Sequence, residues 1–451
     1  MRLHILGIGG TFMSGLAILA KESGFEVSGC DADCYPPVSD LLHEKGIAWI
    51  QGYAVSPEAL EADWVIVGNA MKRGMPVLEA VINQGKNYIS GPQWLAETIL
   101  TNYRVLAVSG THGKTSTTSM IAFILERANF APGFLIGGVA SNFQTNARLG
   151  RGEWFVIEAD EYDSAYFDKR PKFMHYKPEI AVLTNLEFDH ADIYPNLAAI
   201  EQQFHYYIKT IPQKGLIIKP RDDSALQAVL ERGVYSPVEN IATTGRAEWR
   251  ADLRDESGSS FDVYQEQECV ARVNWSLIGQ FNVENGLSAI AACARVGIPP
   301  EQAAAILQDY IAVKRRLECL YSQQDIAIYD DFAHHPTAIA KTIEALTKSG
   351  RHQRIIVVME FASYTMRCGL HADSLEGALS AADVVFMLSP KDFNISERAA
   401  QWVPQPRMLL DTDTLIAALL EEIKTGDGVV VMSNRGFDNL HQRLIAGLCV
   451  R

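Results

Sequence analysis

The chain lacks a cysteine pattern for metal or disulfide chemistry, an apolar run long enough to cross a bilayer, and any excess of positive charge. Its seven cysteines, Cys30, Cys34, Cys269, Cys293, Cys319, Cys368 and Cys449, are odd in number and scattered without a CxxC pair. That spacing excludes a cysteine-held zinc or dithiol centre and points to reduced, partly buried thiols. No stretch of eighteen apolar residues occurs, which excludes a membrane-spanning helix and membrane insertion. Met1-Arg2-Leu3-His4 runs straight into an apolar strand-like segment instead of a signal peptide, so a cytoplasmic location is expected. A formal net charge of −14 argues against a nucleic-acid surface, although a local basic pocket for a nucleotide phosphate is compatible with it. Internal repeats and low-complexity tracts are also missing.

What is present reads as a multi-domain α/β enzyme. The 451 residues, 48% hydrophobic and 21% charged, suffice for about three domains of ordinary size. A first block runs from a strand at Leu3–Leu6 through Gly7-Ile8-Gly9-Gly10 to a helix near Phe12–Glu22 and a strand ending at Asp31. This is a Rossmann-like opening, in which a glycine turn approaches a diphosphate and an acid after the second strand suits a ribose or base. Gly7-Ile-Gly-Gly lacks the full GxGxxG spacing, so alone it supports a nicotinamide-dependent reductase only weakly. Lys72 and Arg73 are phosphate ligands or solvated charges; the residues themselves leave both open.

The second block carries the strongest motif. Apolar Val105–Val108 ends at Gly110, and Gly110-Thr111-His112-Gly113-Lys114-Thr115-Ser116 opens a helix whose Met120, Ile121, Ile124 and Leu125 recur at helical spacing. Backbone N–H groups at such a helix start face an anion, Lys114 adds a charge, and Thr115 adds a hydroxyl for Mg²⁺. Gly110 and Gly113 are closer together than in the generic phosphate loop. Two acidic clusters follow, Glu158-Ala-Asp160-Glu161-Tyr-Asp163 and Asn185-Leu-Glu187-Phe-Asp189-His190, each at the predicted carboxyl end of a strand, where α/β sheets bind ligands. Carboxylate oxygens suit Mg²⁺ beside a phosphate. Glu248 to Trp275 alternates like small antiparallel strands, and from Lys314 onward strands and helices alternate again, as in a separate doubly wound sheet.

In order along the chain, Gly110-Thr-His-Gly-Lys114-Thr115, Glu158-Ala-Asp-Glu, Asn185-Leu-Glu-Phe-Asp-His190, Gln280-Phe-Asn282-Val-Glu-Asn285, Arg315-Arg316 and Asp330-Asp331-Phe-Ala-His334-His335-Pro336 resemble the motifs of the Mur ligases. The likeness covers essentially the whole chain, and the short phosphate loop is the form this family uses. The resemblance implies ATP- and Mg²⁺-dependent amide formation in bacterial cell-wall synthesis, with UDP-N-acetylmuramate and a cell-wall peptide as partners. It implies three domains: a Rossmann-like UDP-binding domain over residues 1–103, a central ATP-binding domain over 104–313, and a C-terminal Rossmann-like domain over 314–451 for the incoming amine.

The same resemblance assigns residues. Gly110 to Ser116 would hold the nucleotide phosphates, with Lys114 on the transferring group. Thr115 and Glu158 would hold one Mg²⁺, and His190 with Glu158 a second. Asn282 and Asn285, one helical turn apart, would read the adenine edge. Arg316 and Asp331 would reach ATP when the C-terminal domain closes. Gly7, Gly9 and Gly10, with Asp31 nearby, would meet the uridine diphosphate. His335 either faces the same cleft or fixes a turn before Pro336.

Two activities within the family fit the double histidine: joining L-alanine to UDP-N-acetylmuramate, or joining the recycled tripeptide L-alanyl-γ-D-glutamyl-meso-diaminopimelate to it. Gly9-Gly-Thr-Phe-Met-Ser-Gly-Leu-Ala17, Tyr35-Pro-Pro-Val-Ser39, Val431-Met-Ser-Asn434 and Ser363-Tyr-Thr365-Met366-Arg367 resemble the tripeptide-joining members. Phe361, Ala362 and Tyr364 depart from them, standing where Pro, Arg and Asn are expected. A grip on a peptide carboxylate is then expected from Arg367 or Arg435, with Asn434 beside them. Outside this family, a nucleotide-dependent switch ATPase remains open, but it leaves the two flanking ligand-type domains without a task.

Overall fold

The computed structural model describes residues 1–389 and 395–449. Three sheets follow one another along the chain. The first has five parallel strands in the spatial order Ala48–Gln51, Glu26–Asp31, Arg2–Leu6, Trp64–Val67, Tyr88–Ser90. Ile5, Leu6, Val65, Ile66 and Val67 are buried because helices cover both faces. The strand order reverses at Arg2–Leu6, so the Gly7 turn sits at the crevice where such sheets bind ligands.

The second sheet has ten strands, in the order Glu268–Asn274, Ser260–Gln265, Trp249–Leu253, Val238–Ala242, Leu216–Pro220, Ile180–Leu183, Arg104–Ser109, Trp154–Glu158, Gly133–Ala140, Thr145–Arg148. Arg104–Ser109 lies between Ile180–Leu183 and Trp154–Glu158, both parallel to it, so the phosphate loop and both acidic clusters emerge at one edge. The alternating segment after Glu248 is antiparallel within itself, yet it continues this sheet: Ile241 pairs in parallel with Trp249. Its buried face, Trp249, Ala251, Phe261 and Val263, joins the core that contains Val283, Leu287 and Ile290 of the helix Gln280–Val296.

Helix Thr11–Glu22 of the first block packs directly on the edge of this sheet. Asn146 Nδ2 donates to Thr11 O at 2.8 Å, Leu149 N donates to Glu22 Oε2 at 2.8 Å, and one apolar cluster runs through both blocks.

The third sheet orders its strands Glu318–Gln323, Ile326–Asp331, Asp427–Met432, Arg354–Met359, Val384–Leu388, Arg407–Leu409, parallel except for the first hairpin. The last helix of this block is Leu440–Cys449. Phe437, Asp438 and Asn439, at φ 44, 48 and 53, form a left-handed turn that no α-helix can include. Arg315 and Leu317, at φ 64 and 51, make a comparably contorted connection into this sheet.

Candidate functional site

The phosphate loop is held from below by the end of the neighbouring strand. Asn185 Oδ1 accepts from His112 N at 2.8 Å, Asn185 Nδ2 donates to His112 O at 3.0 Å, and Thr184 Oγ1 donates to His112 O at 2.6 Å. Two glycines make this possible. Gly110, at φ +129, approaches so closely that a Cβ would lie 2.2 Å from Thr184 Oγ1, and one on Gly113, at φ +83, would lie 2.5 Å from Asn285 Oδ1. The helix Lys114–Arg127 then begins with free N–H groups facing the cleft.

Lys114 lies over this turn, its Nζ donating to Gly110 O at 2.6 Å and to Glu161 Oε2 at 2.9 Å, with Asp160 Oδ1 3.8 Å away. Burial alone would lower its ammonium; the charges of Glu161, Asp160 and Glu158 outweigh burial and raise it. Glu158 is half-buried and accepts from Gly137 N at 2.7 Å. Burial raises its carboxyl, against the pull of Lys114 and Arg316.

His190 differs from its expected pairing. Its Nε2 stands 3.0 Å from Glu161 Oε1, its ring lies 4.1 Å from that of Tyr162, and its backbone is left-handed at φ 57. Burial would lower this imidazole, but Glu161, Asp189 and Asp160 raise it. Asp160, Glu161 and His190 bring ligand atoms within 4.8 Å of one another, so Glu161 rather than Glu158 is the carboxylate in contact with His190. Lys172 Nζ donates to Asp160 Oδ2 at 3.1 Å and lies 5.1 Å from the Phe12 ring, linking this cluster to the first block. Burial would raise Asp160, yet Lys172, Lys114 and His190 hold it well below the usual carboxylate range.

The third block is closed over the loop. Arg316 Nη2 donates to Thr115 Oγ1 at 3.1 Å, and its guanidinium lies over the Phe332 ring. Asp331 accepts from Leu317 N at 2.7 Å and Ala333 N at 2.8 Å; burial raises its carboxyl to about 6 despite these bonds and Arg316. Thr337 Oγ1 donates to Glu187 Oε2 at 2.7 Å, Thr365 Oγ1 donates to Asp189 Oδ1 at 3.1 Å, and His335 Nε2 is 3.3 Å from Phe188 O. Burial would raise Glu187, but the adjacent His112, the bond from Thr337 and the imidazole of His335 bring it down to about 2.

One cavity of about 1210 Å³ joins all three blocks. Gly7, Gly9, Gly10 and Asp31 line its first end, the segment Thr111 to Ser116 with Glu158 and His190 its middle, and Arg316, Asp331, His335, Arg367 and Asn434 its third side. Asn285 lines it too, but Asn282 does not: its amide turns back to Ile278 O at 2.8 Å. Asp31 accepts from Gly9 N at 2.8 Å, Asp33 N at 3.0 Å and Tyr53 Oη at 3.1 Å, which makes it the brace of the glycine turn. Arg73 pairs with Glu79 at 2.8 Å, and neither it nor Lys72 lines the cavity. Ala362 lies in the wall beside Arg367, and Asn434 Oδ1 finds no donor among the described residues. Glu161, Glu187, Thr365 and Lys172 have no role in the sequence reading and meet partners from other segments; the first three lie inside motifs quoted above, and Lys172 lies in none.

Residues 2–103 match the model described as Mur ligase family, catalytic domain, residues 108–293 the Mur ligase middle domain, and residues 315–435 the Mur ligase, glutamate ligase domain. The chain is 47% identical, over 99% of its length and 98% of the relative's, to the UDP-N-acetylmuramate--L-alanyl-gamma-D-glutamyl-meso-2,6-diaminoheptandioate ligase of Escherichia coli K12. A UDP-N-acetylmuramate--L-alanine ligase of Caldanaerobacter subterraneus is 31% identical over 86% of this chain and 82% of that one. Among solved structures, the murein peptide ligase of Psychrobacter arcticus superposes with a TM-score of 0.78 at 41% identity, covering 99% of this chain and 98% of that one.

Proposed function

Because the chain belongs to the Mur ligase family, we propose that it joins L-alanyl-γ-D-glutamyl-meso-diaminopimelate to UDP-N-acetylmuramate, converting ATP to ADP and phosphate. The observation that carries this reading is the 47% identity, over nearly the full length of both chains, to a ligase of that name. Recovery of a cell-wall peptide for reuse is the setting in which such a reaction serves.

A carboxylate is a poor acyl donor, so the lactyl carboxylate of the acceptor attacks the γ-phosphorus of ATP and ADP leaves. The tripeptide's free α-amine then adds to the acyl phosphate carbon, and the tetrahedral species expels phosphate. Phosphoryl transfer asks a protein chiefly for positioning and charge neutralisation. Lys114 supplies the charge once the γ-phosphate draws it from Gly110 O, and Arg316 approaches the same phosphates from the third block. The helix start at Lys114 holds the β-phosphate by its backbone N–H groups.

The donor set fits Mg²⁺: the Thr115 hydroxyl and Glu158 on one side, and Asp160, Glu161 and His190 on the other, all oxygen donors except one imidazole. When bound, that ion neutralises phosphate oxygens and orients the acceptor. Asn285 and the glycine turn at Gly7 take the two ends of the substrates. The amine's peptide carboxylates fall to Arg367 and Asn434, which line the same cavity as Ala362.

Phosphate release from Mg²⁺-ATP with UDP-N-acetylmuramate tests the proposal. The tripeptide is expected to support turnover at least tenfold better in kcat/KM than L-alanine, a difference of about 1.4 kcal/mol in transition-state binding. Preference for L-alanine would overturn the proposed amine, and release with ATP alone would overturn the ligase.

A further inference from the structure

His112, Glu187 and His335 meet at the seam between the phosphate loop and the third block, and the activity proposed above gives this trio no task. Glu187 Oε2 is 3.4 Å from His112 Nε2 and 3.3 Å from His335 Nδ1, and all three ligand atoms lie within 4.8 Å of one another. Charge-assisted N–H···O bonds close to about 2.7–2.9 Å, so these separations are long for hydrogen bonds. They match the edge of a coordination tetrahedron. Bonds of about 2.0–2.2 Å to nitrogen and carboxylate oxygen put neighbouring ligands about 3.3–3.5 Å apart.

The second contacts agree. His335 Nε2 is 3.3 Å from Phe188 O, an acceptor only, so its proton sits on that nitrogen and the Nδ1 lone pair faces the carboxylate. Two acceptors face each other here, each meeting one donor of Thr337, N to Nδ1 at 3.3 Å and Oγ1 to Glu187 Oε2 at 2.7 Å, and a cation between them would relieve their mutual repulsion. Donation of the remote N–H to a backbone carbonyl is also how metal-bound histidines are oriented. The competing partner of Nδ1, Thr337 N, is likewise 3.3 Å away. His112 Nε2 is buried and has no hydrogen-bond partner, and the same holds for Nε2 of His371, whose ring packs 4.4 Å from that of His335.

We infer that His112, Glu187 and His335 form a site for a borderline-soft divalent cation of the Zn²⁺ class, distinct from the oxygen-rich Mg²⁺ cluster, with a fourth position on the His371 side. Two imidazoles and one carboxylate select Zn²⁺ over Mg²⁺, which prefers octahedral oxygen. The ligands come from the phosphate loop, the second acidic cluster and the third block, so the ion ties the closed arrangement together.

Equilibrium dialysis of the full chain against micromolar Zn²⁺ in millimolar Mg²⁺, without nucleotide, is expected to retain one Zn²⁺ per chain. Co²⁺ in its place should give the visible absorption of a four-coordinate ion. His112→Gln and Glu187→Gln should each weaken retention at least tenfold, whereas His190→Gln should retain the ion. Zn²⁺ should raise the melting temperature of the wild type and not of Glu187→Gln. Circular dichroism in chelator establishes that each variant is folded, and the wild-type dialysis stands independently of them. No Zn²⁺ held against Mg²⁺, an octahedral Co²⁺ spectrum, or loss of the ion in His190→Gln alone would each overturn the site.

Discussion

Lys114 illustrates how one side chain serves two states. Without nucleotide its ammonium is spent on Gly110 O and on Glu161, itself only 2% exposed. A γ-phosphate offers a stronger partner, so the lysine moves a short distance onto charge that develops during transfer. Lys114→Ala should therefore lower phosphate release by roughly 10²–10³-fold, the usual loss when a preorganised charge partner is removed. It should also destabilise the fold by about 1–3 kcal/mol, because Glu161 loses its ammonium inside the protein. Single-turnover kinetics and a urea melt measure the two effects separately, and near-wild-type release would remove Lys114 from the mechanism. Lys114, Thr115 and Glu158 were legible in the sequence because a strand, a glycine turn and a helix fix them locally. The partner of His190 was not. The strand ends at Glu158, its two-residue alternation no longer governs Asp160 and Glu161, and Glu161 turns to His190. The orientation of Asn282 was not legible for a related reason: helical spacing gives it a direction, but its amide donates to Ile278 O in the turn before it.

Elements were legible where one physical signal dominated. Buried parallel strands such as Arg104–Ser109 read as apolar runs closed by glycine. The strand Gly133–Ala140, next to the sheet edge, carries three glycines in Gly-Phe-Leu-Ile-Gly-Gly-Val-Ala, which obscure any alternation. That Trp249–Leu253 extends the central sheet rests on a pairing with Val238–Ala242. Such pairing leaves no trace in the alternation of either strand. The phosphate loop is where an element depends most on one residue. Gly110→Ala would place a methyl group against Thr184 and Asn185 at a φ of +129 that alanine avoids. The loop must then rise off the strand end. Nucleotide affinity is expected to fall by more than tenfold, with a stability loss of about 1–3 kcal/mol from strain. Calorimetric titration with ATP reads the first and thermal melting the second. Unchanged affinity would mean that the close approach at Gly110 is not what shapes the loop.

At the scale of the whole molecule, closure combines the packing of Ile278 and Phe281 on the third block's core with polar contacts across the cleft: Arg316 to Thr115, Thr337 and His335 to Glu187, and Thr365 to Asp189. Their pH dependence has a definite sign. Glu187 is depressed to about 2 and Asp189 lies well below the usual carboxylate range, in both cases because neighbouring hydrogen bonds and imidazoles overcome the effect of burial. A depressed carboxyl contributes stability that is complete above its unfolded value, about 4.3 for Glu and 3.9 for Asp, and that disappears as the pH falls through the folded value. Asp331 acts in the opposite sense: raised to about 6, it favours the closed state as the pH falls toward its unfolded value. Burial holds His335 below its ordinary value and His371 near about 4, so His371 gains no charge between neutrality and mild acid. Small-angle scattering in chelator should thus find a constant radius of gyration from neutral pH down to about 5, then expansion below about 4 as the carboxylates protonate. Glu187→Gln should be more open already at neutral pH and respond less to acid. Expansion of the wild type between neutral pH and about 5.5 would assign closure to histidine protonation instead, since that is the range in which an ordinary imidazole titrates.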